Sequence, residues 1–469
     1  MAARDERSES ARFARSASWL SAGIGLAGLL TYAFFSLAAY SLSGEEYGEV
    51  VVLWSAVFVV ISVLHRPTEQ LLSRSIAERS ARGEPTGPAI RAAARIALGV
   101  SLGWAIVALA LRGPLTDDLL SGNETLYWIL VTAVLGFAAS FFARGYLAGK
   151  RRFGALAGVV IGESLGRMAF ALAVAVGITD GQAAVALGIA AAPAISLFVV
   201  PFALGRRSAA PTGAAGDGGA GAETDRVGVG GGGTSRPTAD RERGSGRFAA
   251  AVFCVMLSEQ TLLNAGPLLV NALEGATLAG FIFNVLMVAR APLVVFQGVS
   301  TSLLPHLTGL RSSGPSSARE AFDRSVRATL LAIAAFTTVV VVAVAVVGPQ
   351  VMQLAFSERF SYPRDDLVIV AIGMGLYLAA TTLSQAALAG GLARWAAAAW
   401  LTSAISFLAW CLTGALEPAA RVEIGFSAAA ALLCGLLAAL YPRARAGTHT
   451  PAETDVQDAR ITLSEEAGW

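Results

Sequence analysis

Residues 17–40 read ASWLSAGIGLAGLLTYAFFSLAAY, an apolar run without a single charge. A bilayer core of about 30 Å takes roughly 20 such residues as an α-helix. Arg4, Arg7, Arg12 and Arg15 precede the run, as basic residues precede a signal peptide. The run is too long for an h-region of about 7–15 residues, and more apolar runs follow at once. It is read as a retained first span.

Eleven further runs of this kind lie near 49–65, 96–112, 126–147, 156–177, 182–204, 248–272, 278–304, 327–347, 367–389, 395–413 and 422–441. The fold class is therefore an all-α polytopic membrane protein with about twelve transmembrane helices. Composition agrees: 55% of the 469 residues are hydrophobic, 14% are charged and the mean hydropathy is +0.61. Soluble domains carry about a quarter charged residues. A disordered chain, a nucleic-acid binder and an ordinary cytosolic enzyme are excluded. Cys254, Cys411 and Cys434 all fall in apolar runs and offer no disulfide framework or zinc spacing.

The net charge of +2 is a cancellation. Arg and Lys collect on the cytoplasmic side of membrane proteins. The segments 1–16, 66–95, 148–152, 205–247, 305–327, 390–394 and 442–469 hold 28 of the 35 basic and 18 of the 33 acidic residues, a net of +10. The opposite loops hold 4 basic and 13 acidic residues, a net of −9, and the spans keep 3 Arg and 2 Glu. Both termini are expected to be cytoplasmic.

Residues 205–247 contain GAAGDGGAGAE and VGVGGGGTSRP, a composition that builds no core and reads as a disordered linker. No Lys follows the glycines, so they form no P-loop. The linker divides the chain into an N-terminal lobe (1–204) and a C-terminal lobe (248–441), with a cytoplasmic tail at 442–469. Leu42, Gly44 and Tyr47 match Leu273, Gly275 and Leu278 at an offset of 231, and Leu71-Leu72 match Leu303-Leu304 at 232. A near-constant offset across a span suggests two related halves in parallel orientation.

Ionisable groups inside spans cost about 2.5–3.5 kcal/mol each on insertion scales, so each calls for a reason. Glu163 and Arg167 stand four residues apart and can pair on one helical face, beside the small-residue strip Gly158, Gly162 and Gly166. They are either a structural lock or a charge site lining a cavity. Gln260, Asn264, Pro267 and Asn271 share one face of the seventh span, which suggests a wet cavity or bonds to a neighbouring helix. Glu259 lies about 100° from that stripe and can bind a proton or Na⁺, or pair with an Arg. Arg290, Gln297 and Thr301 share a face of the eighth span, with Pro292 marking a kink. Arg144 shares a face with Ser140, and its plainer reading is snorkelling to the inner headgroups. Three Arg against two Glu favour an anionic substrate, since a guanidinium suits phosphate or carboxylate.

The stretch Gly28 to Gly48 resembles the first helix and following loop of bacterial polysaccharide transporters, whose loops often read L-x-x-x-x-[FY]-G. Ala289-Arg290-Ala291-Pro292 through Gln297 to Leu303-Leu304-Pro305 resembles their eighth helix. That family belongs to the multidrug/oligosaccharidyl-lipid/polysaccharide exporter superfamily. The resemblance implies two six-helix lobes forming a V around a central cavity that opens alternately to each side. It implies a flippase of the bacterial plasma membrane, no cofactor and no catalysis. The implied cargo is an undecaprenyl-phosphate-linked glycan, with polysaccharide-assembly proteins as further partners. Substrate binding then falls to Arg290, Arg167, Arg144, Gln260, Asn264, Asn271 and Gln297, and ion coupling to Glu259 or Glu163.

The alternative is a multidrug and toxic-compound extrusion-type cation antiporter, which shares the fold and for which Glu163 and Glu259 speak. A major-facilitator carrier should show G-x-x-x-D-R after the second span, where this chain reads EQLLSRSIAERS. A membrane glycosyltransferase would carry a large outer loop with catalytic groups, whereas 348–366 contains no His.

Overall fold

The computed structural model describes residues 2–198, 201, 239–290 and 315–446, with side chains described over 22–198, 201, 250–290, 320 and 322–444. Among the described residues the chain is helical and has no β-strand. The helices are α1 (Ala2–Ser41), α2 (Gly44–Leu64), α3 (Arg66–Ala81), α4 (Gly87–Ala110), α5 (Glu124–Gly149), α6 (Phe153–Ala175) and α7 (Gln182–Leu197). After the linker come α8 (Ala239–Glu274), α9 (Ala276–Arg290), α10 (Pro315–Phe356), α11 (Arg364–Ala389), α12 (Ala393–Leu412) and α13 (Pro418–Ala446). Among the described residues nine helices are long and apolar enough to cross a membrane, and α7 and α9 are shorter apolar helices. The expected spans at 182–204 and 278–304 are described only to residues 198 and 290, apart from residue 201.

Three boundaries differ from the sequence reading. Residues 66–81, read as loop, form the helix α3. Its mean hydropathy is low, yet Thr68, Leu72 and Ile76 recur every fourth residue and are buried. Residues 239–247, assigned to the linker, are already helical. The last helix begins at Pro418, four residues before the expected 422, which brings Arg421 inside it and Glu423 a turn past its start. Residues 205–238 and 447–469 lie outside the described residues.

α3 continues α2, the two making one helical run from Gly44 to Ala81; counted so, the helices run alternately between two ends, where the turns fall. Glu45, Glu46, Asp117, Asp118, Glu124, Asp180, Glu274, Glu358, Asp365 and Asp366 gather at one, here termed the acidic end. Lys150, Arg151, Arg152, Arg82 and Arg394 mark the opposite, basic end. Contacts confirm this grouping: Asn123 Nδ2 donates to Glu49 at 3.4 Å at the acidic end, and Lys150 Nζ to Thr86 Oγ1 at 3.3 Å at the basic end.

α1 to α7 form one lobe, in which α1 lies on α6 and α5 packs against α3, α4 and α7. α8 to α13 form the other, in which α11 lies on α13 and α8 on α12. Large rings fill both interiors: Phe34, Phe35, Tyr127 and Phe137 in the first, Tyr377, Trp400, Phe407 and Phe426 in the second. Gly145 lets α3 approach α5, because a Cβ there would stand 2.7 Å from Glu69 O. The outward faces are apolar instead of polar. On α4, Leu98, Leu102, Ile106 and Leu109 are exposed, and on α10 Val339, Val342, Val346 and Leu354. A continuous exposed apolar stripe on a helix of span length is what lipid covers.

α2 begins with a capping box: Ser43 Oγ accepts from Glu46 N at 3.2 Å and Glu46 Oε2 accepts from Ser43 N at 2.9 Å. Ser43→Ala is expected to lower stability by about 1 kcal/mol, read as a reduced melting temperature of the purified protein.

Candidate functional site

The lobes meet along their acidic half. Tyr47 Oη donates to Asn284 Oδ1, and Tyr32 Oη to the Met287 carbonyl. Ser36 Oγ donates to Ala355 O at 2.5 Å and Tyr40 Oη to Leu354 O at 2.8 Å. Arg359, from the turn before α11, donates to the Ala39 and Leu42 carbonyls at the end of α1. The rings of Phe35 and Phe283 lie 4.6 Å apart. Gly48 and Gly280 set the closest crossing: a Cβ on Gly280 would stand 3.1 Å from Gly48 Cα. These hydrogen bonds and this ring pair between the lobes all lie in the acidic half.

Deeper than this seal, near the middle of the helices, stand the ionisable side chains. In the first lobe Glu163 is held between two guanidinium groups. Its Oε1 accepts from Arg167 Nη1 at 3.0 Å, and its Oε2 accepts from Arg144 and, at 3.3 Å, from Ser140 Oγ. Arg167 also donates to Ser164 Oγ at 3.0 Å and lies 5.0 Å over the Trp54 ring. Arg144 lies 4.9 Å over Phe141. The Glu163 and Arg167 side chains are 4% and 5% exposed, that of Arg144 17%. The triad carries a net charge of +1. Arg66 and Glu69 are within electrostatic reach, Glu69 facing Arg144, Arg66 and Glu163.

The second lobe contributes Arg290, whose Nε and Nη2 have no hydrogen-bond partner among the described residues. Tyr32 of α1 and Tyr377 of α11 face it. Tyr377 Oη in turn donates to Glu259 Oε1 at 3.1 Å. Glu259 takes part in no ion pair among the described residues, unlike Glu163. Arg66, from the first lobe, is also within reach of Tyr377. Arg66, Arg290, Tyr32 and Tyr377 thus bring groups of both lobes to one level of the bundle.

The amide stripe of α8 divides. Asn264 Nδ2 donates to Gln260 Oε1 at 2.9 Å, and both are buried. Asn271 is nearer the acidic end, where its Nδ2 donates to Leu119 O at 3.0 Å and ties the two lobes. Gln297, Pro292 and Thr301 lie outside the described residues. Arg144 does not snorkel; its charge is turned inward to Glu163. Arg66, Glu69, Tyr32 and Tyr377 were not singled out from the sequence. Only the contrast of a Tyr within an aliphatic run marks Tyr32 and Tyr377. Among the described residues no group of three or more His, Cys, Asp or Glu side chains could hold a metal ion.

No family model matches the sequence, and no curated protein matches it. Solved structures do match the fold. A multidrug resistance MATE family transporter of the MOP superfamily, in its inward-facing conformation, aligns with a TM-score of 0.61 at 12% identity, over 93% of this chain and 100% of its own. The outward-facing conformation of such a transporter aligns with a TM-score of 0.59 at 13% identity, over 94% and 97%. The eukaryotic MATE transporter AtDTX14 aligns with a TM-score of 0.57 at 14% identity, over 93% and 98%. The chain therefore has the fold of MATE transporters, as an almost wholly helical multi-pass membrane protein. These structures are MATE transporters, and none is a polysaccharide transporter.

Proposed function

We propose that this chain is an alternating-access membrane exporter working as a cation-coupled antiporter of the multidrug and toxic-compound extrusion type. The observation that carries this reading is the fold likeness over nearly the whole chain to such transporters, in both inward- and outward-facing forms. The positive-inside rule assigns the basic end to the cytoplasm of a bacterial plasma membrane and the acidic end to the outside. The lobes sealed along their acidic half then correspond to an arrangement closed to the outside. Glu259 is the coupling group of this reading. It lies mid-helix, is half-buried, and accepts one hydrogen bond from Tyr377 without forming an ion pair among the described residues. Glu163 is ill-suited to that task, because Arg144 and Arg167 occupy both its oxygens.

Efflux of ethidium from proteoliposomes under an imposed cation gradient tests the proposal. Glu259→Gln is expected to lower the rate at least about tenfold, the effect of losing roughly 1.4 kcal/mol at the coupling step. Arg290→Ala is expected to leave ethidium efflux intact, since a guanidinium does not attract a cationic dye.

One observation favours a second reading, transfer of an undecaprenyl-phosphate-linked glycan. The Nε and Nη2 nitrogens of Arg290 have no hydrogen-bond partner among the described residues, and the Arg144–Glu163–Arg167 triad is net positive. A fork of this kind suits a phosphate. If a labelled lipid-linked oligosaccharide crosses the bilayer, Arg290→Ala stops it, and ethidium does not move, this second reading replaces the first.

A further inference from the structure

The acidic half of α13 carries a carboxyl that the site above does not use. Glu423 is 2% exposed, and its Oε1 has no hydrogen-bond partner among the described residues. Hydropathy had placed it at a loop edge; the helix in fact begins five residues earlier, at Pro418.

Its direction follows from its neighbours on α13. Val422 would meet a Cβ on Gly266 of α8. Gly425 lies against Phe407 and Trp410 of α12. The Phe426 ring is 6.3 Å from that of Tyr377, and Ser427 Oγ donates to Ile369 O at 2.9 Å, both on α11. At about 100° per residue, Glu423 projects between Phe426 and Ser427 and so toward α11. Arg421, two residues earlier, leaves from nearly the opposite side of the helix. It donates through Nη1 to Cys411 O on α12 at 2.9 Å.

The titratable groups on the elements packed around Glu423 are few. α11 carries the exposed Arg364 with Asp365 and Asp366 in its first turn, about one helical turn from the level of Glu423, and Tyr377 much nearer the basic end. α8 carries Glu259, bound to Tyr377, and the exposed Glu274. α12 carries Cys411. Among the described residues none of these, nor Arg421, hydrogen-bonds or pairs with Glu423. A carboxylate buried without a cation or donor is so costly that the group takes up a proton instead. A metal cation would need several oxygens around it, and among the described residues no group of three or more His, Cys, Asp or Glu side chains stands here to supply them.

We propose that Glu423 is a proton-binding site of the C-terminal lobe, loaded from the acidic-end water through the first turn of α11. On loading, a hydronium ion gives its proton to a carboxylate oxygen, one O–H bond forms and one water leaves. Asp365 is exposed and Asp366 half-buried, so they connect water with this turn. Closure of the acidic end then takes up one proton from that side. This deepens the antiport reading and rests on it for the role in transport; the protonation does not.

Infrared difference spectroscopy of the purified full chain in lipid nanodiscs tests the site directly. Wild type is expected to show the C=O band of a protonated, weakly hydrogen-bonded carboxyl at neutral pH, and Glu423→Gln to lack it. Glutamine is neutral and of the same shape, and a monodisperse elution profile verifies folding. In proteoliposomes, ethidium efflux by wild type is expected to fall as acidic-side pH rises, with a steepness that includes up to about tenfold per pH unit for the proton on Glu423, and Glu423→Gln to lose that one-proton part. Survival of the band in Glu423→Gln, or an unchanged pH dependence, overturns the proposal. If wild type moves no ethidium, the antiport reading fails and the band alone decides for or against the proton site.

Discussion

Replacing Gly48 with leucine is expected to abolish gradient-driven efflux while each lobe stays folded. Gly48 is the point at which α2 of the first lobe meets the start of α9 of the second. A Cβ there would run into the carbonyl of Ala276, with Thr277 N only 2.9 Å away. Both obstacles are main chain, which cannot rotate aside as a side chain does. Overpacking a tight contact by even small groups costs about 1–3 kcal/mol, and leucine adds four carbons to this one. Within its own lobe α2 keeps its packing on α5 and α7. The load therefore falls on the lobe–lobe closure and shifts the protein toward the arrangement open at the acidic end. Gly280→Ala is expected to act in the same direction more weakly, because one of its two nearest neighbours is the edge of the Tyr47 ring, at 3.1 Å. Efflux by Gly48→Leu at the wild-type rate would show that this crossing need not close during transport.

Glu163→Gln is expected to destabilise the first lobe by about 3–5 kcal/mol, the cost of removing one partner from a buried ion pair. Here the loss leaves two guanidinium groups, Arg144 and Arg167, without the carboxylate that bridges them; Glu69 reaches Arg144 only at a distance. The purified variant should melt well below wild type. Replacing all three residues, as Arg144→Met, Glu163→Leu and Arg167→Met, removes the uncompensated charge and is expected to restore most of the stability. Efflux then separates the two readings of the triad. A stable triple variant that transports marks it as a lock between α5 and α6, and a stable one that does not marks it as part of the transport path.

Local spacing carried the features that repeat along one helix. Apolar runs located the nine span-length helices of the described residues, and the i, i+4 rule located the pairs Glu163–Arg167 and Gln260–Asn264. Groups joined across helices left no such trace. Arg144 meets Glu163 across a turn and two helices, Tyr377 meets Glu259 across the second lobe, and Asn271 finds a carbonyl of the first lobe. Their partners are set by tertiary packing, which no period encodes. Averaged hydropathy failed in two further places for one reason: it reports the mean of a window and not the face of a helix. α3 has a polar mean but a buried edge of Thr68, Leu72 and Ile76. Arg421 and Glu423 depressed the mean at the start of α13, so two buried residues were counted with the loops. The choice between an anionic glycolipid and a cation turned on counting three Arg against two Glu. The structure shows that such a count is insufficient, because Glu163 is committed to two Arg while Glu259 and Arg290 are not.

Alternation between the lobes is tested most directly by distances across the acidic end. Spin labels on Glu45→Cys and Glu358→Cys, both exposed on opposite lobes, report them once Cys254, Cys411 and Cys434 are replaced. The full chain in nanodiscs is expected to show a short distance matching the sealed arrangement and a second, longer population. The balance between the two should shift with ethidium and with acidic-side pH, and Gly48→Leu should show the longer one alone. A single short distance under every condition, with ethidium efflux still running, would contradict an alternating-access exporter.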